Sequence, residues 1–579
     1  MSKIVIDPIT RIEGHLRIEA EIADGKVTNA DSAGTMFRGL EKILINRDPR
    51  EAWMFAQRIC GVCTTVHAIC SVRAVEDALA LTIPDNARLI RNIVCATQYI
   101  HDHVIHFYHL HGPDWFDVVS ALSADPAKAA TLQQMLSPWP NNTTAYFHTV
   151  KDRLASVVNS GQLGLFANGY WGHPGYQLPP EANLLMVAHY LEALNFQRDF
   201  VQIHAYFGGH NPHIQTYAVG GMANPLSATG GYTINLTTLN TIRDLAVQAL
   251  NFVSQVYYPD MKLLKQFYGQ WLRIGAGCRN MLAVGEFPQS NSDPVGSLYL
   301  PRGVVWNSNL LSPPLPLDTA KIVEDIKHSW YSYTAGDNVS LHPAVGETTP
   351  NYTGPTPPYD YLDTSSKYSW LKAPRYDGKV VEVGPLARVA VAYAAGHARI
   401  RSLVNGLFTY TDRPTHGLFS TLGRIMARAV ETQVLAEELP GWIDQLRANL
   451  SAGNTSAIDT SKWYPSTWGT NRSGWGATEA PRGALAHWVK FDGGSTGKIT
   501  AYQCVVPTTW NASPRDKSSV PGPLEQALVG TPIVDPALPL EILRTVHSFD
   551  PCMACAVHII NPVHADAIQV TTQHAPAVT

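Results

Sequence analysis

The chain has no apolar run approaching the roughly 20 residues that span a bilayer. Nor does an apolar leader follow Met1-Ser2-Lys3-Ile4-Val5-Ile6-Asp7, so those residues carry no secretory signal. The expectation is a protein that stays in the cytoplasm or is exported as the passenger of another chain. Charge is scarce: 16% Asp, Glu, Lys and Arg, a net charge of −4 and no basic run. That argues against nucleic acid as a partner. Low charge in a chain of 579 residues also implies that much surface is covered, by the chain itself or by a partner. Eight cysteines are too few for a disulfide framework at this length. Internal repeats and low-complexity tracts are absent, which excludes solenoids and extended linkers.

What the chain does have is two Cys-x-x-Cys pairs near its opposite ends, Cys60/Cys63 and Cys552/Cys555. Together they offer four thiolates to one metal centre. A small zinc knuckle keeps its ligands local, whereas joining the two ends requires a large scaffold, which points to catalysis. Each pair sits where a helix should begin. Asp550 can cap, Pro551 suits the first helical position, and Cys552 and Cys555 then share one face. Gly61 supplies a tight turn before a helix starting near Cys63, and the helix dipoles should lower the thiol pKa values. His67, four residues after Cys63, is placed to hydrogen-bond a sulfur. Soft all-sulfur ligation suits nickel or iron; a structural zinc site is the plainer alternative. A thioredoxin-like pair fits less well, because neither motif follows a βαβ strand. Cys70, Cys95, Cys278 and Cys504 read as small buried apolar residues.

Residues 3–30 read as strand and hairpin, with Leu16, Ile18, Ala20 and Ile22 alternating and Asp24-Gly25 as the turn. Helical periodicity covers 63–79, 87–111, 184–206, 239–267, 386–405 and 418–438. The Pro/Gly/Tyr/Thr-rich stretch 340–378 reads as a long ordered surface loop. No clean boundary divides the chain, so the expectation is one large α+β domain with a central helix bundle and peripheral β-structure.

The signature Arg58-Ile59-Cys60-Gly61-Val62-Cys63 with His67 does not stand alone. It is accompanied by Arg11-Ile12-Glu13-Gly14-His15, Arg38-Gly39-Leu40-Glu41 and Ala480-Pro481-Arg482-Gly483. Val505-Val506-Pro507-Thr508-Thr509-Trp510-Asn511 and the closing Asp550-Pro551-Cys552 to His558 follow. In these blocks, and in their order up to residue 558, the chain resembles the large subunit of nickel–iron hydrogenases of the membrane-bound uptake branch. Any one block alone is weak, but the double cysteine pair in this company is specific.

The resemblance implies a nickel–iron centre whose iron carries carbon monoxide and cyanide. Cys60 and Cys552 would be terminal nickel ligands, and Cys63 and Cys555 would bridge both metals. Iron–sulfur clusters would lie only in a separate small subunit. Glu13 would be the proton gate beside Cys552; on residue type alone it is an ordinary carboxylate between Arg11 and His15. Arg482 would sit over the open metal position, held by Asp102 and Asp550. Thr508 would hydrogen-bond a cyanide, with Pro481 and Arg482 lining the same pocket. Glu41, the carbonyl of Cys504 and His558 would hold a magnesium or similar cation. Asp102, His106 and His109 should share one helix face, although buried histidines with satisfied ring nitrogens are the plainer reading. His210 stands where the family is expected to have Lys or Arg, either near the small-subunit contact or as an exposed loop residue.

The resemblance also divides the chain into a hydrogenase domain, 1–558, and a C-terminal maturation extension, 559–579. A dedicated endopeptidase would cut after His558 once nickel-insertion proteins have loaded the site. The implied activity is reversible heterolytic cleavage of H2, in the uptake direction, with a hydrogen-sensing regulatory protein as the alternative. Export to the periplasmic side with the small subunit, and a membrane cytochrome b as electron acceptor, complete the expectation.

Overall fold

The computed structural model describes residues 2–167, 169–408, 416–493 and 497–556. Three antiparallel strands, β1 (Ser2–Ile6), β2 (Leu16–Ala23) and β3 (Lys26–Gly34), form the N-terminal sheet. Asp24 and Gly25 both adopt positive φ, 51° and 68°, the conformation that matches a tight hairpin to strand twist. The alternating Leu16, Ile18 and Ala20 are fully buried, packed with Leu524, Leu528, Ile542 and Val546 from near the other end of the chain. This shared apolar cluster brings the chain ends together.

The bundle is built from α1 (Val66–Leu79), α2 (Asp85–Ile105), α3 (Pro180–Phe200), α4 (Leu236–Phe252), α5 (Pro385–Ala395) and α6 (Thr421–Ser451). Residues 421–436 of α6 are buried on every face, as befits a helix at the centre of a bundle. Its expected end near Glu438 is corrected: α6 runs 31 residues, through Pro440. An interior proline costs about 3 kcal/mol. The buried Leu439, Trp442, Ile443, Leu446 and Leu450 beyond it offset that cost and carry the helix on.

Two other helical expectations also change. The stretch 386–405 is broken by Gly396 at φ 93°, giving α5 and a second helix, Ala398–Phe408. After Ile105, α2 widens into a π-helical turn, His106–His111. The extra residue per turn takes His109 off the Asp102 face, whereas His106, one α-turn after Asp102, stays beside it, with Nε2 3.9 Å from Asp550 Oδ1.

A second sheet, β4 (Arg472–Ala480), β5 (Gly483–Phe491) and β6 (Ile499–Val505), is antiparallel in that order. The N-terminal sheet lies at the edge of the bundle, but β5 is buried along nearly its whole length. Helix α1 lies directly on β4, and glycine makes that approach possible. A Cβ at Gly476 would lie 2.3 Å from the carbonyl oxygen of Cys70.

Candidate metal centre

Cys60 follows a 3-10 turn and is extended, and Cys63 donates its N–H to the Cys60 sulfur at 3.2 Å. At the other end the chain leaves α7 (Leu540–Ser548) and turns at Asp550, φ 52°. It then lies parallel to the Glu13 segment as an isolated bridge between Glu13 and Cys552. Met553 N–H donates to the Glu13 carbonyl at 2.7 Å, and Cys552 N–H donates to Thr508 Oγ1 at 3.0 Å. Arg38 joins the two cysteine segments: Nη2 donates to the carbonyl of Ile59 and, at 2.9 Å, to that of Ala554. Arg38 stood in a quoted motif, but nothing in its residue type announced this role.

Gly14 completes the seat. Its φ is 82°, and a Cβ there would meet Met553 Cβ at 2.7 Å and Ala554 N at 2.9 Å. Gly14→Ala should therefore push the C-terminal segment off the N-terminal one, at about 1–3 kcal/mol for a non-glycine residue forced into that conformation. A thermal midpoint and metal content equal to wild type would refute this seat.

The four sulfurs converge in the core. Cys63 and Cys555 are 2.9 Å apart, Cys552 and Cys555 3.0 Å, and Cys60 and Cys552 3.5 Å. All four lie within 4.8 Å of one another and each is buried. Four sulfurs about 2.3 Å from a common ion would be roughly 3.8 Å apart, so the donor set fits one or two soft metal ions. The expected lowering of every thiol pKa by helix dipoles is not found. Only Cys60 is lowered, by hydrogen bonds among the sulfurs; burial pushes Cys63 up to about 11 and raises Cys552 and Cys555. The reason is geometric: α1 starts three residues past Cys63, and the helical turn Met553–Ala556 has four residues. Burial outweighs so short a dipole, and a bound cation must supply the compensation that makes these thiols thiolates.

Arg482 stands at the tip of the β4–β5 turn, with Nη1 2.9 Å from Asp102 Oδ2 and Nη2 3.0 Å from Asp550 Oδ1. It lines the sulfur pocket together with Val66, His67, Ala480, Thr508 and three of the cysteines. Pro481 is not among the lining residues. Asp550 is also not a helix cap: the helical turn begins three residues later, and its carboxylate faces Arg482 instead. Burial pushes Asp102 up to about 7, with Arg482 pulling the other way. Glu13 Oε2 accepts from Ala554 N–H at 2.6 Å and lies 3.5 Å from Cys552 Sγ. Burial, then the Cys60 charge, raises its pKa.

His67 belongs to a chain that the sequence did not reveal. Its Nδ1 meets His487 Nε2 at 3.2 Å, His487 Nδ1 meets Tyr502 Oη at 2.7 Å, and Tyr502 donates to Ser71 Oγ at 2.9 Å. His67 Nε2 is left buried without a protein partner, in a side chain that lines the sulfur pocket. His106 and His109 bond backbone carbonyls of His547 and Tyr190, the satisfied-ring reading. His210 is exposed. Glu41 Oε1 accepts from Cys504 N–H at 3.3 Å, and its Oε2 accepts from Thr348 at 2.9 Å. The third member of that set, His558, lies outside the described residues, as does the stretch 559–579.

A soft four-sulfur centre sealed in the core, with an arginine and a carboxylate at its edge, defines the donor set of a metal-binding protein. Comparison with known proteins makes this specific. Residues 38–558 match the family model described as nickel-dependent hydrogenase, and residues 3–33 match one described as HoxL-like. The chain is 49% identical over 576 residues to the uptake hydrogenase large subunit of Bradyrhizobium diazoefficiens, covering 97% of this chain and 96% of that one. It is 48% identical over 582 residues to the hydrogenase-1 large chain of Escherichia coli strain K12, covering 98% and 97%. The reduced Ni-Fe-Se hydrogenase of D. vulgaris Hildenborough matches with a TM-score of 0.76 at 32% identity, covering 96% of this chain and 100% of that one. The chain belongs to the nickel-dependent hydrogenases, as their large subunit.

Proposed function

We propose that the chain is the catalytic subunit of an uptake-type nickel–iron hydrogenase, cleaving H2 reversibly into protons and electrons with oxidation as its working direction. The observation that carries this reading is the convergence of Cys60, Cys63, Cys552 and Cys555 within 4.8 Å of one another. The direction rests on the uptake hydrogenases among its relatives. No relative reported above is named as a hydrogen sensor.

Cys60 and Cys552 would hold the nickel alone, and Cys63 and Cys555 would hold it together with an iron that carries carbon monoxide and cyanide. When bound, this group supplies the Lewis acidity and redox capacity that heterolytic cleavage of H2 requires. The chain's own residues manage charge and protons. Glu13, 3.5 Å from Cys552 Sγ, accepts protons from that sulfur and passes them toward solvent. Arg482, fixed by Asp102 and Asp550, keeps a positive charge over the pocket. Thr508 orients the Cys552 backbone and, with His67, is assigned to the surroundings of the metals and diatomic ligands. Glu41, the Cys504 carbonyl and His558 are assigned to a magnesium or similar hard cation.

Electrons leave through iron–sulfur clusters of the small subunit; among the described residues the four cysteines are the one cluster of potential metal ligands found. Residues 559–579 are assigned as a maturation extension, removed after His558 by an endopeptidase following nickel insertion. Likeness to uptake relatives supports export with the small subunit to the periplasmic side and delivery of electrons to a membrane cytochrome b. Among the described residues, no helix is long and apolar enough to cross a membrane.

Elemental analysis of the purified heterodimer should find nickel and iron at the centre, and infrared spectra should show carbon monoxide and cyanide bands. Turnover of H2 with an artificial electron acceptor then separates enzyme from sensor. Zinc alone at the four cysteines would sink the proposal.

A further inference from the structure

The turn carrying Arg482 is held by more than its own strand pairing. Ala480 pairs with Gly483, leaving Pro481 and Arg482 at the tip. All three carbonyls preceding Arg482 are caught. Tyr99 Oη donates to that of Glu479 at 2.5 Å, and Arg388 donates to those of Ala480 and Pro481 at 2.7 and 2.9 Å. Arg388 rises from the first turn of α5 and is fully buried. Its other bonds go to Glu431, at 2.5 and 2.6 Å, and to Glu479 at 2.9 Å. His103 Nε2 steadies Glu431 from behind at 2.7 Å.

Tyr99, Asp102 and His103 occupy one face of α2 at i, i+3 and i+4. That face therefore holds the main chain of the turn, the Arg482 guanidinium and the counter-ion of Arg388. Two glycines let α5 come this close: a Cβ at Gly483 would lie 2.6 Å from Gly384 N.

A buried arginine among carboxylates adds little to stability compared with apolar packing, so its value lies in what it orients. A planar fork delivering hydrogen bonds to two successive carbonyls is also a task that lysine does not reproduce. We propose that Arg388 is a positioning residue for Arg482. By fixing the main chain at 480–481, it keeps the Arg482 guanidinium against Asp102 and Asp550 and over the four-sulfur pocket. The inference deepens the role proposed above for Arg482 and rests on it.

The test uses the assembled heterodimer carrying Arg388→Lys, which keeps the charge that Glu431 and Glu479 require and loses the fork. Nickel and iron content should equal wild type, and amide hydrogen exchange at 482–483 should rise. kcat should fall at least about tenfold with KM little changed, as displacement of a reacting group predicts. In an Arg482→Lys background the same change should cost less than about twofold, because the two act through one unit. Tyr99→Phe removes only the hydroxyl on the Glu479 carbonyl. It should give the same pattern at smaller amplitude, and it replaces the lysine variant if that one does not fold. Wild-type amide exchange at the turn, or equal losses in both backgrounds, overturns the proposal. If Arg482→Lys alone leaves turnover intact, the role of Arg482 falls, and amide exchange still decides whether Arg388 holds the turn.

Discussion

Cys555→Ser should yield a folded protein with neither nickel nor iron above background and no turnover of H2. Cys555 is buried, 2.9 Å from the Cys63 sulfur and 3.0 Å from that of Cys552, so no solvent ligand has room to substitute for it. A serine hydroxyl is harder than a thiolate, and the soft metals in question favour sulfur. Burial already opposes ionisation of the thiol at this position, and it opposes ionisation of the less acidic hydroxyl more strongly. The fold should survive, because Glu13, Thr508 and Arg38 seat the C-terminal segment through backbone contacts. Cys70→Ser is the control. That thiol donates to the Gly476 carbonyl at 3.0 Å, a bond a hydroxyl can also make, and metal loading should be normal. Normal metal content in Cys555→Ser itself would remove it from the ligand set.

Glu13→Gln should bind its metals normally and exchange protons slowly. The amide oxygen of glutamine can still accept the Ala554 N–H bond, at 2.6 Å in the native protein, so the C-terminal segment keeps its seat. What disappears is a group that can carry a proton 3.5 Å from Cys552 Sγ. Positioned general acids and bases contribute about 10²- to 10⁴-fold. Exchange between H2 and D2O should fall by at least about 100-fold, with infrared bands unchanged. Burial raises the proton affinity of Glu13. The wild-type exchange rate should therefore respond to pH above the usual carboxylate range, and the variant should lose that response. Wild-type exchange in the variant would take Glu13 off the proton path.

Much of this protein can be read along the chain because the signals are local. The Asp24-Gly25 hairpin, the alternation in β2 and the stripes of α1 and α2 depend on neighbours within a few residues. The chemistry of the centre was legible for the same reason: two thiols at i, i+3 name a soft ligand set without any fold. Local rules failed where a distant group altered the balance. The helical pattern was read only to 438, but apolar burial further along carries α6 through Pro440. Asp550 has the composition of a cap, yet an arginine 68 residues upstream claims its carboxylate at 3.0 Å. Thiols expected to be acidic are, for three of four, harder to ionise, since desolvation is a property of everything packed around them.

Arg38, Arg388 and the histidine–tyrosine chain behind His67 show the same limit. Each is an ordinary polar residue until burial leaves its hydrogen bonds no solvent to satisfy them. Residue identity and spacing were thus enough to name four thiols as a candidate ligand set and to place the N-terminal hairpin and most of the bundle helices, but not the sheet of β4, β5 and β6. Folding in three dimensions settled which sulfurs meet, which nitrogen of His67 is left without a protein partner and what steadies Arg482. Those outcomes follow from burial and pairing between segments hundreds of residues apart, and a linear pattern does not carry them.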